Sequence, residues 1–244
     1  MSDLDPNASQ QRRLSSAIPT ARIETLTDGV FAIVMTILVF NFHTPLKEVV
    51  AKFGLLHELA TLVPNLVGYL ITFVILGVLW VGHHNQFFYI RRADRVLLWI
   101  NIFFMMVVAL LPFSAELLSE YGQDSVSIIV YNINLILAEL LLFLHWWYAT
   151  RDHHLLGQRL EPQVRILVVR RILTPAVLYF LAILIAFISV QASILIDVLV
   201  PIIYVAPARL DTIFRHREHP ANSPLPSSPS QPPPEPGNDA NDGN

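Results

Sequence analysis

The sequence predicts an all-α polytopic membrane protein with six transmembrane helices per subunit, on three observations. Of 244 residues, 54% are hydrophobic and only 14% charged, whereas a soluble domain carries about 25% charged residues. Apolar segments long enough to cross a hydrocarbon core of about 30 Å recur along the chain. The basic residues gather in alternate links between those segments, as a spanning bundle requires.

The chain opens with a predominantly polar stretch of seventeen residues, ahead of Pro19 and Arg22. They lack the apolar core and small-residue cleavage site of a signal peptide, so residues 1–18 are expected to be a cytosolic arm. From Gly29 to Leu46 no residue carries a formal charge, and 18 residues make about 27 Å of helix; this is the first span, with Asp28 at its entrance. Lys47 to Glu58 mixes charges with Val49, Val50, Phe53, Leu55 and Leu56, a pattern that fits a short interfacial helix. Pro64 to Gly82 is the second span and runs into Trp80-Val-Gly-His83-His84-Asn85. Val96 to Ala115 is the third, with Asn101 near its start and Pro112 near its end, followed by an acidic loop from Glu116 to Ser125. Val126 to Ala149 is the fourth span and carries Asn132, Asn134 and Glu139. After a link rich in Arg and His, Ile172 to Val190 and Ala192 to Ala206 form a fifth and a sixth span, an antiparallel hairpin turned near Gln191 and Ser193. The membrane domain is thus expected over residues 19–211. Residues 212–244, rich in Pro, Ser, Asn and Asp, cannot bury enough apolar surface to offset their ordering entropy and form a disordered tail.

Arg12, Arg13 and Arg22 precede span one, Arg91, Arg92 and Arg95 follow span two, five arginines separate spans four and five, and Arg209, Arg215 and Arg217 follow span six. Only Lys47 and Lys52 fall on the other side. The positive-inside rule places both termini in the cytosol of a multi-pass protein of the cell membrane. A net charge of −3 gives no reason to expect a nucleic-acid partner. The absence of cysteine excludes disulfides and thiolate metal sites.

Chemistry concentrates in Arg22 to Phe42, where a threonine-rich charged turn continues without a break into an apolar helix. Asp28 opens span one on the side where His83 and His84 close span two, so these residues share a depth with Thr27, Trp80 and Asn101. A carboxylate, an imidazole and an amide at one level can satisfy each other where water is scarce. Such a knot either glues helices or positions span one for a task. At about 100° per residue, Asp28 lies roughly 140° around the helix from Ile33. If Asp28 points into its own subunit, then Ile33, Thr36, Ile37 and Phe40 form a stripe facing lipid, another subunit or a central axis.

Arg22, Leu26-Thr27-Asp28 and the following Gly-Val-Phe-Ala-Ile33 resemble the Arg-x-x-x-Phe-Ser-Asp signature of the transmembrane protein 175 potassium channels, whose prokaryotic members are single six-span chains. The resemblance extends to Trp80 through His84, Leu97 through Asn101, Leu110-Leu111-Pro112-Phe113 and Glu120-Tyr121-Gly122, and covers spans four to six by hydropathy alone. Leu26 stands for Phe and keeps its bulk; Thr27 stands for Ser and keeps its hydroxyl. The resemblance implies a homotetramer whose four first spans line a central pathway, with Ile33 at the position of the constricting isoleucine and Thr36 at that of the polar residue one turn on. The signature network it implies comprises Arg22, Leu26, Thr27, Asp28, Trp80, His83, His84 and Asn101. A Thr-Val-Gly-Tyr-Gly carbonyl filter is absent, so narrow apolar rings with a hydroxyl layer would have to supply a modest preference for potassium and gate by dewetting.

Glu139, near the middle of span four, either carries protons or cations or is protonated or paired with an asparagine. Asp197 reads as structural or water-exposed. His83, His84, His145, His153 and His154 gather near the cytosolic face, but no His-x-x-x-His or His-Glu-x-x-His spacing occurs, which disfavours a metalloenzyme. The expectation is a non-enzymatic, potassium-permeable cation channel without cofactor or resident metal. Its partners are copies of itself, the lipid bilayer and monovalent cations. A proton- or cation-coupled secondary transporter is the alternative.

Overall fold

Thr20–Ile37 forms helix α1 and tightens into a 3₁₀ turn, Leu38–Asn41, in the computed structural model, which describes residues 20–42, 47–151, 155–157 and 160–205. The expected arm and the expected tail lie outside those residues. The interfacial segment is two short helices, α2 (Lys47–Phe53) and α3 (Leu55–Thr61), separated by Gly54 at φ 87°. That left-handed backbone is one a side chain disfavours, so Gly54 supplies the corner.

Helix α4 (Val63–Tyr89) begins with proline in its first turn, where the missing N–H has no intrahelical acceptor to lose. The third span is longer than its sequence suggests. Helix α5 (Arg95–Ala109) breaks at Leu110 and resumes as α6 (Leu111–Glu120), so Glu116 to Glu120 are helical and not loop. Pro112 causes the break because it cannot donate to the carbonyl four residues earlier. The chain continues into Leu-Leu-Ser-Glu all the same, because proline is tolerated where a helix restarts. Helix α7 (Ser125–Arg151) matches the fourth expected span. Helix α8 (Pro162–Ala186) starts earlier than expected, again on an N-terminal proline, so Arg165, Arg170 and Arg171 belong to the helix and not to the link before it. The hairpin turn falls earlier too, before helix α9 (Val190–Val205). There the N–H groups of Ile188 and Ser189 both donate to the Ile185 carbonyl, each at 2.8 Å, and the Ser189 hydroxyl accepts from the Ala192 N–H at 3.3 Å.

The fold is therefore all-α. Among the described residues, five helical stretches, α1 with its 3₁₀ turn, α4, α5 with α6, α7 and α8, are long and apolar enough to cross a membrane. The sixth expected span, α9, is apolar but has 16 residues, about 24 Å of helix. Helix α7 is the central element and packs along α8, α5 and α6, burying Tyr131, Leu135 and Trp146. Helix α1 lies at the rim, against α4, α5 and α6.

At the arginine-rich end, Ile23, Phe87, Ile90, Ala93, Leu97, Ala149 and Leu155 form one apolar cluster. Backbone bonds reinforce it: Ile90 and Leu156 form an isolated antiparallel bridge, and the Arg91 N–H donates to the Leu155 carbonyl at 3.0 Å. Asp94 caps α5 by accepting the Leu97 N–H at 2.8 Å, while its second oxygen accepts the Tyr148 hydroxyl of α7 at 2.7 Å. Replacing Asp94 by Ala removes both bonds and should lower stability by about 1–2 kcal/mol. Tyr148→Phe should cost less, and thermal unfolding of the two variants in detergent checks the order.

Candidate functional site

Two neighbouring side chains on α1 face two different helices. Thr27 is fully buried; its hydroxyl donates to the Ile23 carbonyl at 2.9 Å and accepts from Asn101 Nδ2 of α5 at 2.9 Å. The Asn101 oxygen in turn meets His83 Nε2 of α4 at 2.8 Å. One residue on, about 100° around the helix, Asp28 Oδ1 accepts the Trp80 indole N–H at 2.8 Å. One turn toward the arginine-rich end, Glu24 lies 3.1 Å from His84 Nδ1, and His84 stacks on Trp80 with ring centroids 5.6 Å apart. Glu24 and Asp28 on α1 thus oppose His84 and Trp80 on α4 as two rungs of an antiparallel ladder, because each pair is spaced by four residues.

The buried chain runs deeper than the sequence reading placed it. Gln86, one turn beyond His83, donates through Nε2 to the Leu142 carbonyl of α7 at 3.0 Å, and its oxygen meets His145 Nδ1 at 2.6 Å. These contacts fix both tautomers. Asn101 and Gln86 use their NH₂ groups elsewhere and present only acceptor oxygens, so His83 carries its proton on Nε2 and His145 on Nδ1. The opposite ring nitrogens, His83 Nδ1 and His145 Nε2, have no hydrogen-bond partner among the described residues. The two rings lie 5.5 Å apart, and Phe104 stacks on His83 at 5.4 Å. The α1 anchor therefore extends from Thr27 through α5 and α4 to α7.

The rest of α1 is open. Ile33 is 59% exposed and Phe40 79% exposed; Thr36 and Ile37 are exposed on the same side. The Thr36 hydroxyl donates to the Ile33 carbonyl at 2.7 Å, which uses its hydrogen and leaves its oxygen as an acceptor. Grooves of about 580 and 560 Å³ flank Ile33. Arg22 and Leu26 depart from the expected network: both line the first groove with Ile33. The reason is helical phase, since Arg22, Leu26, Gly29 and Ile33 fall at i, i+4, i+7 and i+11 on one face, away from Thr27. His84 departs as well, being 54% exposed and paired with Glu24 outside the buried chain.

Relatives were identified by comparison with known proteins. The sequence profile described as "Endosomal/lysosomal potassium channel TMEM175" matches residues 22–112. A potassium channel of Streptomyces collinus is 34% identical over 146 residues, 58% of this chain and 70% of that protein. A potassium channel of Chamaesiphon minutus is 33% identical over 179 residues, 72% of this chain and 88% of that protein. The chain belongs to the TMEM175 family. The crystal structure of a lysosomal potassium-selective channel TMEM175 homologue from Chamaesiphon minutus superposes with a TM-score of 0.68 at 30% identity, covering 76% of this chain and 95% of that one. The Streptomyces and Chamaesiphon relatives place this member with the prokaryotic potassium-channel type of TMEM175.

Polar groups in the rest of this TMEM175 member are held within the bundle. Glu139 is buried and makes no hydrogen bond among the described residues. Neither asparagine of α7 serves it. Asn134 lies about 140° around the helix and donates to Ser114 Oγ at 3.0 Å. Asn132 shares its face but stands two turns away, and donates to Asp197 Oδ2 at 3.0 Å. Asp197, expected to be structural or water-exposed, is 2% exposed. Among the described residues, no group of three or more His, Asp or Glu is placed to hold a metal ion.

Sequence reasoning missed Glu24, Gln86 and the link through His145. The first two carry a legible signal, lying one turn from Asp28 and from His83; the pairing of α4 with α7 through His145 has none. Removing the Asn101 amide would leave the buried His83 N–H without its acceptor, while the Thr27 hydroxyl would lose one bond and keep its donation to the Ile23 carbonyl. Asn101→Ala should therefore lower stability by about 1–3 kcal/mol. Trp80→Phe, which frees a half-buried carboxylate, should cost less in thermal unfolding.

Proposed function

We propose that this chain forms a potassium-permeable cation channel in the cell membrane, a homotetramer in which four copies of α1 line a hydrophobically gated pore. The observation that carries this reading is the rotation of α1. Glu24, Thr27 and Asp28 are held by α4 and α5, while Ile33, Thr36, Ile37 and Phe40 stand exposed on a rim helix. The names of the Streptomyces and Chamaesiphon relatives support the transported ion.

In this reading Ile33 forms the narrowest ring. An apolar ring holds back ions because it cannot replace the water they shed, so opening must widen or wet it. Thr36, with its hydrogen tied to the Ile33 carbonyl, offers a layer of acceptor oxygens one turn on, and Ile37 and Phe40 line the same pathway. Asp28, Thr27, Trp80, His83 and Asn101 are scaffold and do not touch the ion. The channel needs no cofactor. Glu139, a buried carboxylate without a hydrogen-bond partner among the described residues, favours the second reading of a proton- or cation-coupled transporter. Unitary currents in planar bilayers that reverse near the potassium equilibrium potential distinguish a channel from saturable, coupled flux.

Ile33→Asn should wet the closed constriction; a barrier lowered by about 1.4 kcal/mol raises leak current about tenfold. Thr36→Val should reduce the potassium-to-sodium permeability ratio in the same recordings. Parent-like conductance and open probability in a correctly assembled Ile33→Asn tetramer would remove α1 from the pore.

Orientation is tested separately. The arginine-rich end carries Arg22, Arg91, Arg92 and Arg95, and the opposite end Lys47 and Lys52; the positive-inside rule then puts both termini in the cytosol. With no native cysteine, single cysteines at Lys52, Tyr121 and Gln191 should react with an impermeant thiol reagent from outside intact cells. A cysteine at Arg92 should not, and labelling there would reverse the topology.

A further inference from the structure

The groove of about 560 Å³ beside Ile33 has one ionisable side chain on its walls, and that side chain comes from another helix. Ile33, Ile37 and Phe40 of α1 line one wall, and Pro112, Phe113 and Glu116 of α6 line the facing one. The other polar residue there is Asn41, whose Nδ2 donates to the Pro112 carbonyl at 3.0 Å. That bond fixes the depth of Glu116. Asn41 closes the 3₁₀ turn at the end of the first span, Pro112 is level with it, and Glu116 stands four residues on, about 6 Å farther from the arginine-rich end.

Glu116 is partly exposed and makes no hydrogen bond or ion pair among the described residues. Its oxygens are open to water, unlike the unpaired polar atoms inside the bundle. A solvated carboxylate without a partner does nothing to hold α6 against α1, a task that Asn41 performs. What it supplies is an electrostatic field on the open side of α1. The described residues at this end add Glu48, Glu58, Glu120 and Asp124 against Lys47 and Lys52, so the surrounding field has the sign that attracts cations. None of those six lines the groove. Carboxylates around the mouth of a cation pathway draw ions in, because clefts lined by one sign of charge raise the local concentration of counter-ions.

We propose that Glu116 concentrates potassium at the mouth of the α1 pathway, at the end opposite the arginines: one carboxylate from each subunit sets a negative potential where ions enter, ahead of the Phe40 and Ile37 side chains. The inference rests on the reading that α1 lines the pore, and adds to it a residue of α6 that governs ion supply without touching the Ile33 constriction. An ion at this level keeps its water, so Glu116 sets how many ions arrive and leaves the choice between potassium and sodium to the narrower part.

The test is the unitary current of the full-length chain in planar bilayers at roughly 0.01 M and 1 M KCl, where the screening length is about 30 Å and 3 Å. At the lower salt, Glu116→Gln should reduce current entering from the Glu116 side at least about twofold. At the higher salt it should match the parent, and its potassium-to-sodium permeability ratio should match at both. Glu116→Asp, which keeps the charge, should conduct as the parent does. Because the chain has no native cysteine, Glu116→Cys can be modified after assembly, which avoids any folding defect: an anionic methanethiosulfonate should raise its low-salt current and a cationic one lower it. Equal loss of current at both salts, a changed permeability ratio, indifference to the sign of the reagent, or loss of tetramers while the remaining ones conduct normally would each overturn the proposal. Ile33→Asn separates the two readings. If it raises the leak while Glu116→Gln conducts as the parent at low salt, the role of Glu116 falls and the pore assignment stands; if neither variant alters the current, both fall.

Discussion

A helix at the rim of a membrane bundle has little reason to prefer one rotation over another, because lipid accepts any apolar face. Hydrogen bonding removes that freedom in α1. Thr27 is held by Asn101, which is itself held by His83, and rotating α1 by one residue would strand polar atoms where no water can reach them. The anchor is directional in a way that Phe31 and Val34, buried on the same side, are not: apolar packing tolerates slippage and a three-membered amide, hydroxyl and imidazole relay does not. The exposure of the open face follows from this constraint. Ile33 and Thr36 are placed by residues that never touch them.

Much of this was legible in the sequence, for reasons that differ by element. The spans could be read because exclusion of charge from hydrocarbon is a strong filter, and α7 was located almost to its ends. Helix ends governed by local chemistry were misplaced. Pro112 looked like a terminus and is a restart, and Pro162 opens α8 ten residues before the apolar run begins at Ile172. The depth shared by Thr27, His83 and Asn101 followed from counting residues inward from the charged links. Which of them touch did not, because membrane depth is one coordinate and contact needs three.

Leu26 shows the limit of reading a signature as a unit. Adjacent letters of a motif lie about 100° apart on a helix, so Leu26, Thr27 and Asp28 point to three different surroundings. The sequence treats them as one cluster; the fold divides them between the open face, α5 and α4. Glu139 and Asp197 make the complementary case. Neither residue type reveals its partner, and in α7 the asparagine on the same face as Glu139 is committed to a different helix.

The rim position of α1 also bears on how such chains can diverge. The family profile ends at residue 112, and Pro112 is where the Asn41 side chain ties the end of the first span to α6, at 3.0 Å. The profile thus spans the elements against which α1 is registered. Helices α8 and α9 pack on α7 and on each other, with α9 also touching α4, and they answer mainly to lipid and to that neighbour. Apart from the hydrogen-bonded Ser193, Asp197 and Tyr204, positions there are constrained by hydropathy and bulk. The hairpin is bound mainly by bulk and hydropathy, whereas the α1 anchor is bound by hydrogen-bond geometry as well.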